Sequence, residues 1–128
     1  MNESRIGTLL ASAVALLLLL VTGCAKSLPP ETDADVARSG LTAALDAWKA
    51  GQTPETLQTR MPPVDFRDIN WDKGSQLSNY VVKSEERSGM SVRFTVQLSL
   101  KQKDGASGER VVMYNVDAGK SVVIRPDF

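Results

Sequence analysis

MSVRFTVQLSLKQK, residues 90–103, alternates apolar and polar side chains from Val92 to Lys101 without a break. Successive side chains of a strand point to opposite faces, so Val92, Phe94, Val96, Leu98 and Leu100 share one side. Arg93, Thr95, Gln97, Ser99 and Lys101 share the other. The pattern predicts an antiparallel strand with one buried and one wet face. Downstream, Asp104-Gly105-Ala106-Ser107-Gly108 is a loop, Glu109–Asp117 a second strand, Ala118-Gly119 a tight turn, and Lys120–Arg125 a last strand. Upstream, Leu77–Glu85 is a further strand closed by a turn around Arg87-Ser88-Gly89. The carboxy-terminal half is therefore three or four sequential antiparallel strands.

A sheet with one apolar face needs a cover. Ala37, Leu41, Ala44, Leu45 and Trp48 form one helical stripe within 34–50. Thr32 or Asp33 can cap its start, Asp35 lies in its first turn, and Gly51 can stop it. Trp48 is expected in the core. Thr53-Pro54-Glu55 reads as a second start, giving a short helix through Leu57 or Arg60 that ends at Met61-Pro62-Pro63. Val64–Trp71 is either a short edge strand or an ordered loop, and Lys73-Gly74 turns the chain. The expected fold is α+β, an amino-terminal helix packed on a curved antiparallel meander sheet of three to four strands, built as a single domain over residues 34–128. Its element order resembles the cystatin-like and nuclear-transport-factor-like folds. That resemblance implies no activity, because such folds host enzymes, inhibitors and binding modules. The Gln-x-Val-x-Gly wedge of cystatin inhibitors is absent, since the central strands read Gln97-Leu98-Ser99-Leu100 and Gln76-Leu77-Ser78-Asn79.

Ahead of the domain, Ile6–Val21 is apolar or small and includes Leu16–Leu20. This suits a signal-peptide core and falls short of the roughly 20 residues that span a bilayer. Val21-Thr22-Gly23-Cys24 follows and resembles the lipobox of bacterial lipoproteins. The resemblance implies a signal peptide over 1–23, diacylglyceryl transfer to the Cys24 sulfur, cleavage before Cys24 and acylation of the new amino terminus. Residues 24–33 then form a tether with adjacent Pro29 and Pro30. Two or more acyl chains give stable anchoring where one does not. Ala25, in place of Asp, implies by the family rule the outer membrane or cell surface of a bacterium in preference to the inner membrane.

The chain holds 15 basic and 15 acidic side chains, interleaved without a run of either sign. Nucleic acid is thereby disfavoured as a partner, because phosphate binding needs concentrated Lys and Arg. There is no histidine, and Cys24 is the only cysteine. Ser-His-Asp and Cys-His catalysis, ordinary zinc sites and structural disulfides are therefore removed. No cofactor is expected. The partners expected are the membrane, through lipidated Cys24, and an envelope protein or polymer.

The densest carboxylate cluster is Asp65, Asp68 and Asp72 around Arg67. Its spacing does not match a calcium loop, and solvated loop charges account for it. Trp71, Tyr80 and Tyr114 can line a pocket on a concave sheet or simply pack. In an enzymatic alternative, of the lyase or isomerase type, Asp65 and Tyr80 are the catalytic pair. That alternative needs a polar cavity between helix and sheet, and fails if Leu45, Trp48, Phe94 and Val96 fill it. Arg93, Lys101 and Lys103 can meet an anion, or be offset by Glu109 and Arg110. An assembly role predicts an unpaired strand at Leu77–Val82 or Lys120–Arg125.

Overall fold

A computed structural model describes residues 31–127. The leader, the Val21-Thr22-Gly23-Cys24 tetrad and most of the tether lie outside the described residues. Helix α1 runs Ala34–Lys49 and buries Ala37, Gly40, Leu41, Ala44, Leu45, Ala47 and Trp48 along one face. Of the two candidate caps, Asp33 holds the start. Its carboxylate accepts from the backbone N–H of Asp35 at 2.8 Å and of Val36 at 3.2 Å. The helix closes at Ala50, and Gly51 follows with φ +78, a backbone state that a side chain would disfavour. A 3-10 turn occupies Pro54–Thr59.

Strand β1 is Val64–Phe66, helix α2 is Ile69–Asp72, and strands β2 Gln76–Ser88, β3 Ser91–Lys101, β4 Ser107–Ala118 and β5 Val122–Pro126 complete the chain. They form one sheet in the order β1-β5-β4-β3-β2. From β2 to β5 every neighbour is antiparallel and consecutive. β1 pairs parallel with β5, Val64 opposite Val122 and Phe66 opposite Ile124. The fold is α+β with a five-stranded mixed sheet, which corrects the expected three to four antiparallel strands. The added strand is the short edge strand, one of the two readings of Val64–Trp71, and its Val64 and Phe66 extend the apolar face that Val122 and Ile124 begin.

The alternation in β3 is carried through in three dimensions. Val92, Phe94, Val96, Leu98 and Leu100 are all buried, while Arg93, Thr95, Gln97 and Ser99 stay half-buried on the far face. Each fully buried Val, Leu or Phe stabilises the fold by about 1.5–3 kcal/mol relative to exposure. α1 lies across this face at close range. A Cβ built on Gly40 would stand 2.7 Å from Val122 Cγ1, so only glycine allows the approach. Leu45, Trp48, Phe94 and Val96 lie within one core cluster at 0–2 % exposure.

Candidate functional site

The polar groups are distributed around this packed centre. Asp68 caps α2 by accepting from the Asn70 N–H at 2.8 Å, and its other oxygen accepts from the Tyr114 hydroxyl at 2.6 Å. Asp68 is 3 % exposed and Tyr114 fully buried. Burial pushes the Tyr114 phenol well above its ordinary value, and the neighbouring Asp68 charge and hydrogen bond add to the shift. Phe66 stands edge-on to Tyr114 at 5.4 Å, Trp71 lies 5.6 Å from Phe66, and Trp48 stacks on Trp71 at 5.6 Å. Both indoles donate to backbone carbonyls, Trp48 to Ser75 at 2.8 Å and Trp71 to Gln52 at 3.2 Å. With its polar edges satisfied and little of it exposed, this cluster holds α2 and the preceding loop against β4.

The carboxylate cluster read from the sequence is thereby taken apart. Asp65 is on β1, on the face away from α1, where Arg125 reaches its Oδ2 at 2.8 Å and Arg67 its Oδ1 at 3.8 Å. Asp68 is interior, and Asp72 is exposed at the end of α2. The solvated-loop reading is corrected for Asp68, whose side chain is a buried cap and acceptor. Its signal was present as an Asp two residues before Asn70 at a helix start, but its tyrosine partner lies 46 residues away.

Tyr80 lies on β2, at the opposite edge of the sheet from Asp65 and on the opposite face. Four strand spacings, about 19 Å, separate those edges. The Tyr80 hydroxyl donates to Asp46 of α1 at 2.7 Å, and burial, then this bond, pushes its phenol up to about 12. Asp65 and Tyr80 therefore cannot reach one substrate atom, and the space between helix and sheet is filled by side chains. Among the described residues every buried side-chain nitrogen and oxygen has a hydrogen-bond partner, so none is left aimed into a cavity. No group of acidic or thiol side chains among them is gathered to hold a metal.

Arg93 is offset, though by other partners than Glu109 and Arg110. It pairs with Asp127 at 2.8 Å and Glu86 at 3.6 Å. Glu109 instead accepts from Gln97 at 2.7 Å. Of the two candidate open strands, β2 is an edge along its whole length and β5 is interior, which corrects the reading of Lys120–Arg125. β2 departs from regular register between Leu77 and Asn79 and between Val82 and Ser84. Such irregularities blunt an edge against casual pairing. Arg38 of α1 ties this strand down by two hydrogen bonds of 2.7 Å to Glu85, and these bonds, then that to Asp35, raise the guanidinium above its ordinary value.

One concavity is mainly apolar. Val36, Ser39 and Gly40 of α1, Met61 and Pro62 of the following loop, and Val122 of β5 enclose a groove of about 280 Å³. Met61, on its rim, is 92 % exposed. No family model, curated protein or solved structure matches the chain.

Proposed function

We propose that the protein is a bacterial lipoprotein whose domain binds a partner in the cell envelope, at the outer membrane or cell surface, and does no chemistry of its own. The observation that carries this is the Val21-Thr22-Gly23-Cys24 tetrad at the end of the apolar leader, placed on the only cysteine. A thiol there is the nucleophile that lipid transfer requires. The filled core and fully partnered buried groups of the described residues support the non-enzymatic half of the reading. An envelope protein or polymer is the partner proposed. The likeness to cystatin-like and nuclear-transport-factor-like folds is proposed only for α1 with β2–β5, whose consecutive antiparallel pairing supports it.

The test is Cys24→Ala in cells fed labelled palmitate. Loss of label and of membrane retention is expected. A variant that still sediments with membranes after a high-salt wash would overturn the anchor. Cross-linking in the native envelope before pull-down then reports the partner.

A further inference from the structure

We propose that the domain stands on the bilayer through Met61, Met90 and Val36, whose side chains rest among the lipid headgroups. This orientation depends on the lipid-anchor reading above. It follows from where the chain enters the domain. The Thr32 N–H donates to the Met90 carbonyl at 3.0 Å, and the Thr32 hydroxyl accepts from the Ala118 N–H at 3.2 Å. Thr32 is thus fixed at the end of the sheet where β2 and β4 finish and β3 and β5 begin. α1 starts there as well. The Val122 N–H donates to the Pro63 carbonyl at 2.8 Å, which brings the 60–63 loop to the same end.

Three large apolar side chains are exposed at this end: Met61 at 92 %, Met90 at 43 % and Val36 at 38 %. They come from three separate segments that the sheet topology brings to one end. Eight residues connect Cys24 to Thr32, a reach of at most about 28 Å. β3 alone, at 11 residues, spans about 36 Å. A tether that short cannot let the far end of the sheet face the bilayer, because Thr32 would then stand too high. The near end carries Glu31, Asp33, Asp35 and Asp117 against Arg60, Arg87 and Lys120, with no excess of positive charge. Apolar contact, and no attraction to anionic lipid, is what this end offers.

The other exposed apolar groups are less suited. Val81, Val111 and Met113 share the sheet face away from α1 with the Arg93–Asp127 and Arg125–Asp65 pairs, Val82 stands midway along the β2 edge, and Ile69 lies at the far end.

Because Cys24 is acylated on this reading, a cysteine introduced elsewhere is the only thiol free for labelling. The full lipidated chain carrying Met61→Cys, Met90→Cys, Ile69→Cys or Val111→Cys is labelled with a fluorophore. Each is reconstituted in phosphatidylethanolamine–phosphatidylglycerol vesicles containing a lipid nitroxide at a shallow acyl position. Flotation is read first. Quenching at 61 and 90 roughly threefold stronger than at 69 and 111 is expected for side chains held in the headgroup layer. Equal quenching at all four, or stronger quenching at 111, overturns the orientation while leaving the anchor standing. Shielding of 61 from aqueous iodide without lipid quenching means a protein covers the patch, a second copy included, and overturns it too. A lipidated preparation that fails to float with vesicles removes the anchor reading, and the orientation with it.

Discussion

At the scale of single residues, the Tyr114–Asp68 bond is the polar contact on which most depends. Tyr114→Phe leaves a buried carboxylate short of one donor, and the expected loss is about 1–3 kcal/mol of unfolding free energy at neutral pH, read from urea melts. The pair also sets an alkaline limit. The folded state holds the phenolic proton more tightly than the unfolded chain, whose tyrosine ionises near 10. The stabilisation is therefore complete below about pH 10 and falls as pH rises beyond it, by about 1.4 kcal/mol per pH unit for Tyr114. Tyr80, pushed up to about 12, adds its share between about 10 and 12. Urea melts at pH 9 and pH 11 should show a smaller alkaline loss for Tyr114→Phe than for the native chain. Equal losses would mean that Tyr114 is not the group responsible.

Among the elements, α1 approaches β5 closely enough to require a glycine. Gly40→Ala places a methyl carbon 2.7 Å from Val122 Cγ1. Helix propensity favours alanine by roughly 1 kcal/mol, whereas overpacking costs about 1–3 kcal/mol. Net destabilisation is expected, with recovery in the Gly40→Ala/Val122→Ala pair, and a thermal-melt double-mutant cycle reads the coupling. An additive cycle would place the conflict elsewhere. The elements themselves were unequally legible. α1 and β3 are long enough for the periods of 3.6 and 2 to show, and both appear where Leu41, Leu45 and Trp48, or Phe94, Val96 and Leu98, recur. For β1 the sequence leaves strand and loop as alternatives, because three residues hold too little of a period to decide. Its partner β5 is 58 residues distant, and parallel pairing leaves no hairpin signature between them. The site was less legible still. Asp65, Asp68 and Asp72 look alike in one dimension, and only the third dimension sends them to an ion pair, a buried cap and the solvent.

For the molecule as a whole, the sheet order predicts a gradient of backbone protection. β4 is central and β3 is flanked on both sides, so their amides should exchange slowest. Outward-facing amides of β2 should exchange far faster, despite its 13 residues, because no neighbour receives them. Hydrogen exchange resolved along the chain checks this, and uniform protection of β2 would show a partner strand in solution. The position of β5 carries a further consequence. It follows the other four described strands in the chain, yet it lies between β1, the first of them, and β4. Until Ile124 has been made, Val64 and Phe66 have no strand to join and the apolar side of Val116 lies open. Closure of this sheet thus waits for residues 122–126 to arrive, and a chain cut before them keeps its greasy interior on view to whatever proteases patrol it.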